Sequence, residues 1–95
     1  MDSISKYPKN PVAHHNLGTA YSRLGRLDEN IDQLLIVERL APGYPDLHTN
    51  LAIAYRKKRW YDRALSESAR AIEVDPDNPV VYSNLGIIYK GVGAD

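Results

Sequence analysis

At 95 residues the chain is near the size at which a single core becomes marginal, and its 43% apolar and 25% charged residues are those of a globular rather than a disordered sequence. Twelve basic residues balance twelve acidic ones, so no overall field draws the chain to nucleic acid or to an anionic membrane. The sequence has no cysteine, which excludes disulfides, thiolate catalysis and cysteine-based zinc sites.

The opening Met1-Asp2-Ser3-Ile4-Ser5-Lys6 has no apolar run behind it and does not read as a signal peptide. The longest apolar stretch, Leu34 to Val37, is far too short to cross a bilayer. The expectation is a cytoplasmic chain without membrane contact. Residues 1–10 resemble the tail of a preceding unit, or a linker, because Tyr7-Pro8-Lys9-Asn10 parallels Val74 to Asn78.

From Pro11 onward the chain repeats itself. Pro11, Pro45 and Pro79 recur at intervals of 34 residues, and so do Pro8, Pro42 and Pro76. The same interval separates Asn16, Asn50 and Asn84, then Leu17, Leu51 and Leu85, then Tyr21, Tyr55 and Tyr89. Five interleaved series at one spacing mark stacked supersecondary units. The spacing predicts whole units over 11–44 and 45–78 and a half unit over 79–95.

Within a unit the apolar period is helical. Leu17, Ala20, Tyr21 and Leu24 step by three and four and predict a first helix with these residues toward the core, as Leu51, Ala54 and Tyr55 do in the next unit. Leu27, Ile31, Leu34, Leu35 and Leu40 predict a second helix, matched by Tyr61, Ala64, Leu65, Ala69, Ala71 and Ile72. Asn10-Pro11 and Asn78-Pro79 place a capping side chain before a proline in the first turn. Gly25 marks the turn between helices, and Asp28 and Asp62 fall where a helix N-terminus favours a carboxylate. The second helices stop before Pro42 and Pro76.

The strings Asn16-Leu17-Gly18-Thr19-Ala20-Tyr21, Asn50-Leu51-Ala52-Ile53-Ala54-Tyr55 and Asn84-Leu85-Gly86-Ile87-Ile88-Tyr89, each in a 34-residue helix–turn–helix unit with a closing proline, resemble the tetratricopeptide repeat. The resemblance implies an all-α fold, an α-α superhelix (solenoid) of antiparallel helical hairpins with about five helices. Its departures are local. His14, His48 and Tyr82 replace the opening Trp, Asn30 stands where a small Ala normally lets the helices approach, and Leu34 and Ser68 replace a large aromatic.

The resemblance also implies a protein-interaction scaffold that holds a peptide or protein segment in a concave groove lined by the first helices. Helical spacing sends the residues between the core positions to that groove. The first unit offers His15, Asn16, Thr19 and Arg23, with Val12 and Ser22 beside them. The second offers Thr49, Asn50, Ile53, Arg56 and Lys57, with Asp46 at the far end. The half unit offers Ser83, Asn84 and Lys90, with Val80 and Ile87. Asn16, Asn50 and Asn84 resemble the asparagine ladder of tetratricopeptide superhelices, whose amides bond a peptide backbone, although the same residues serve helix packing alone equally well. Arg23, Arg56, Lys57 and Lys90 form a basic flank that favours an acidic partner, or else a solvated rim. Chaperone-clamping domains of the family place Lys, Asn and Arg at positions that correspond to His15, Thr19, Asn50, Val80 and Asn84. Only Asn50 matches, so that clamp is not expected.

The last helix is expected to leave Leu85, Ile88 and Tyr89 partly uncovered, which suggests either a piece of a longer array or a homodimer through that end. Two further functions are therefore weighed: a self-association module, and a targeting segment of a larger multidomain enzyme. No catalytic constellation or phosphate-binding loop is present, and no cofactor is implied. His14, His15 and His48 lack the i, i+4 spacing of a helical metal pair, so no metal is expected. Trp60 sits at a turn, as an exposed anchor or as a cover for the hairpin end.

Overall fold

The structure, a computed structural model, describes residues 9–94. Among them are five helices and no strand: α1 Pro11–Arg23, α2 Leu27–Leu40, α3 Leu47–Lys57, α4 Tyr61–Val74 and α5 Pro79–Ala94. The chain divides into two compact units, Met1–Leu47 and His48–Asp95, with the division in the first turn of α3. The parallel of Tyr7-Pro8 with the end of α4 falls outside the described residues.

The predicted caps form. Asn10 Oδ1 accepts from the backbone N–H groups of Val12 at 3.0 Å and Ala13 at 3.4 Å, with Pro11 as the first helical residue. Asn78 Oδ1 accepts from Val80 N–H at 2.9 Å and starts α5 in the same way. Both side chains satisfy donors that a helix N-terminus otherwise leaves unpaired. Asp28 and Glu29 lie in the first turn of α2, and Asp62 in that of α4.

In the first unit α1 packs on α2. His14 Nδ1 lies 2.8 Å from Gln33 Oε1, and Gly18 lies against Asn30 and Gln33. A methyl group on Gly18 would stand 3.2 Å from Gln33 Cβ and 3.5 Å from Asn30 Oδ1, so the tight approach is to Gln33, with Asn30 at ordinary contact. In the second unit the equivalent pair is Ala52 and Ala64, both buried. The first unit thus pairs a glycine with an asparagine where the second pairs two alanines.

Burial corrects the expected core faces. In α1 the buried residues are His14 and Gly18; Leu17 and Tyr21 are half-buried, Ala20 is exposed, and Leu24 is 70% exposed. The α1 face on α2 is thus rotated toward the His14–Gly18 edge. In α2 the buried line is Ile31, Leu34 and Val37, while Leu35 and Leu40 are exposed. Helix α3 does bury Leu51, Ala54 and Tyr55, together with Leu47, Thr49 and Ala52. Helix α4 buries Ala64, Ser68 and Ala71 and leaves Ala69 exposed. Three small residues on one face let neighbouring helices come close, which is why a large aromatic is not needed at Ser68.

Candidate functional site

Helices α3 and α4 are joined by a tight turn. Trp60 N–H bonds to Tyr55 C=O and Arg59 N–H to Arg56 C=O, each at 2.9 Å, with Arg59 in the left-handed region at φ 64°. This is a Schellman helix stop. The first unit makes the same stop with Arg26 N–H on Tyr21 C=O and Gly25 N–H on Ser22 C=O, where Gly25 has φ 75°. The residue after each stop covers the tyrosine. Trp60 lies 6.0 Å from the Tyr55 ring, and Arg26 lies 5.2 Å over the Tyr21 ring. Trp60, still 41% exposed, also receives Lys58 at 5.0 Å and Arg63 at 5.2 Å. Its ring covers the hairpin end and carries two cations.

Beside this turn, within the second unit, is a hollow of about 510 Å³ lined by Arg56, Lys57, Arg59, Tyr61, Ile87, Lys90 and Gly91. Four of the seven lining residues are cations, and none is acidic. Arg56 is fixed in orientation, because its Nε donates to Asn84 Oδ1 at 2.5 Å. Lys57, Arg59 and Lys90 pair with no carboxylate among the described residues. Gly91 admits Tyr61 to one wall: a methyl group there would collide with the Tyr61 hydroxyl. A second hollow, along α2, is lined by Asp32, Gln33, Leu35, Ile36, Glu38 and Arg39, so its charges are of both signs.

Of the residues expected in the groove, Arg56, Lys57 and Lys90 come together at the basic hollow, joined by Ile87. Arg23 lies in the last turn of α1, in the other unit. Asn16 and Ser83 are exposed, and Asn50 and Ile53 are half-buried. His15 is half-buried with its ring 5.1 Å from Tyr44, and the exposed Thr19 donates its hydroxyl to His15 C=O at 3.1 Å. Thr49 is buried, which removes it from any open surface. Asn84 is only 4% exposed, its oxygen is taken by Arg56, and its amide nitrogen has no partner. It is a positioning residue for Arg56 rather than an accessible rung.

At the end of α5 one of the three residues differs from expectation. Ile88 is fully buried, Leu85 is half-buried and Tyr89 is 62% exposed. Helix α5 turns Val81, Asn84 and Ile88 inward where it packs on α4, so Ile88 does not belong to an open face. The open apolar stripe is Tyr82, Leu85, Tyr89 and Val92, which share one side of the helix at steps of three and four.

Arg59 and Gly91 were not singled out by helical periodicity, and Tyr61 was read only as an apolar position of the second helix. The signal was available in the repeat itself, since Arg59 stands 34 residues after Gly25, in a position that only the turn geometry makes conspicuous.

Helical hairpins repeating at 34 residues, each closed by the same left-handed stop, define an all-α helical-repeat protein. Family models described as tetratricopeptide repeat match residues 1–31 and 45–78, and the chain belongs to the tetratricopeptide repeat family. No curated protein resembles it closely enough to count as a relative. Repeats of this family generally mediate protein or peptide binding and are typically scaffolds without catalytic activity. Among the described residues no helix is long and apolar enough to cross a membrane.

Proposed function

We propose that the chain is an interaction scaffold that holds an acidic peptide or protein segment, with the basic hollow of the second unit as its principal contact. The observation that carries this is the lining of four cations without a carboxylate, in a chain of zero formal net charge. Oriented guanidinium groups bind carboxylates through charge-assisted, often paired hydrogen bonds, and Arg56 is held for that purpose by Asn84. Ile87 and Tyr61 supply a wall against which the apolar stem of a bound side chain packs. The part of the family's expected groove that lies within the second unit, with Asn50 and Ile53 on α3, is where we place the rest of the segment.

The test is fluorescence anisotropy with a labelled oligoglutamate peptide. Arg56→Glu combined with Lys57→Glu is expected to weaken binding by more than about tenfold, the equivalent of about 1.4 kcal/mol. Unchanged affinity would remove the proposal.

A second reading is favoured by the stripe of Tyr82, Leu85, Tyr89 and Val92 on α5. Two copies that pack this stripe face to face would form a two-fold homodimer, in which each stripe covers the other.

A further inference from the structure

The four cations do not follow from what the hairpin turn requires. The first unit makes the same Schellman stop with Ser22, Arg23, Gly25 and Leu27 at the positions that hold Arg56, Lys57, Arg59 and Tyr61 in the second. The turn therefore forms with one cation where the second unit has three. Arg56 and Lys57 lie in the last turn of α3, where basic residues complement the helix C-terminus. That rationale does not reach Arg59, outside the helix, or Lys90, on α5. Arg59 also occupies a backbone region that L-residues other than Gly, Asn and Asp rarely enter. Asp46, the other non-glycine residue with positive φ among the described residues, is of a type that tolerates it. The turn of the second unit thus holds like charges together and puts an arginine in the left-handed region at the same spot, where the turn of the first unit has Gly25. Strained residues of this kind concentrate where a ligand is held.

We infer that this hollow is a receptor for a phosphomonoester, the phosphorylated side chain of a partner peptide. The inference rests on the acidic-segment reading above and names the group that fills the site. A single carboxylate carries one charge and two acceptor atoms, which the Arg56 guanidinium alone satisfies. A phosphomonoester carries close to two charges at neutral pH and three strong acceptor oxygens, and it calls on several cations at once. Arg56 and Arg59 offer planar forks, and Lys57 and Lys90 offer compact charges around them. Ile87 and the Tyr61 ring form the apolar side of the hollow, suited to the carbon stem that carries the phosphate. Gly91 keeps that side in place, because any larger residue there displaces Tyr61.

The inference is tested by titrating the full chain, at one fixed ionic strength, with four probes: inorganic phosphate, a phosphoserine hexapeptide, the same peptide with glutamate in place of phosphoserine, and a short single-stranded oligonucleotide. Amide shifts at residues 56–61 and 87–91 report the place of binding. The phosphopeptide is expected to bind about tenfold or more tighter than the glutamate peptide. Inorganic phosphate is expected to shift the same residues. Phosphopeptide affinity is expected to fall as pH drops through about 6, where the phosphate loses its second charge, while glutamate binding holds over that interval. Arg59→Gly and Lys90→Gln, which leave the turn and the helix intact, are expected to abolish the preference for phosphate. Arg39→Glu, a charge reversal in the other unit, is expected to leave it unchanged. Equal affinity for the two peptides would overturn the phosphoryl assignment and leave the acidic-segment reading standing. Tightest binding of the oligonucleotide would overturn it in favour of a phosphodiester site. Binding of none of the four would overturn both readings.

Discussion

Arg59 and Gly25 occupy the same left-handed backbone position one repeat apart, at φ 64° and 75°, and close the same helix stop. Glycine adopts this conformation without steric penalty, whereas an arginine there carries a cost on the order of 1 kcal/mol. Arg59→Gly is therefore expected to stabilise the protein by about 0.5–1 kcal/mol in urea denaturation, while it weakens anion binding. Gly25→Arg is expected to destabilise it by a similar amount. A stability loss in Arg59→Gly would show that the arginine belongs to the fold rather than to a ligand.

Gly18 and Gly86 share one position in the repeat and differ in surroundings. A Cβ on Gly18 meets Gln33 at 3.2 Å, while one on Gly86 meets nothing within 4 Å. Gly86→Ala is expected to raise stability by about 0.5–1 kcal/mol through helix propensity alone. At Gly18 the crowding of α2 opposes that gain, so Gly18→Ala is expected to be the less stable of the two by about 1 kcal/mol or more. Equal melting temperatures for the two variants would contradict the close approach of α1 and α2.

Ser68 is fully buried, and its hydroxyl has no hydrogen-bond partner among the described residues. An unpaired buried hydroxyl costs about 1–3 kcal/mol, and its removal leaves a cavity of only one atom. Ser68→Ala is expected to stabilise the chain by about 1 kcal/mol, read from the denaturation midpoint at unchanged slope.

The apolar stripe on α5 gives a concentration-dependent prediction. If copies pair through it, sedimentation velocity at rising concentration shows a dimer, and Tyr82→Lys with Tyr89→Lys returns the monomer. Both side chains are exposed, but Tyr82 also donates its hydroxyl to Pro76 C=O at 2.7 Å, so the change is expected to cost the folded unit about 1 kcal/mol. A wild-type monomer throughout that range would dispose of the homodimer reading.

The parts of the fold that were legible in the sequence are those set by local chemistry. Asn10, Asn78 and the prolines fix helix starts through groups within three residues of them, so the caps could be read off the chain. The rotation of each helix about its axis was less legible. Ala20 and Leu24 fit the apolar period of α1, but which neighbour covers a face is decided by residues distant in sequence, such as Gln33 against His14. The same holds for Asn84. Its spacing matched Asn16 and Asn50, yet α5 turns it inward, where it meets Arg56 from α3. Arg59 escaped notice because its importance lies in a dihedral angle, and the exchange of Gly25 for Arg59 between repeats was its only trace in the sequence.

The arrangement of charge along α4 has a kinetic consequence. Arg56 to Arg59 precede this 14-residue helix, while Glu73, Asp75 and Asp77 gather at its far end, about 21 Å away. The unit is thus a permanent electrical lever, aligned in direction with the peptide groups of α4, whose N-terminal end is positive and C-terminal end negative. A charged chain that drifts near it feels a torque before it makes any contact, and turns its negative end toward the hollow. Encounters then begin in the productive orientation, and the advantage fades as added salt shortens the reach of the field to roughly 8 Å at physiological ionic strength.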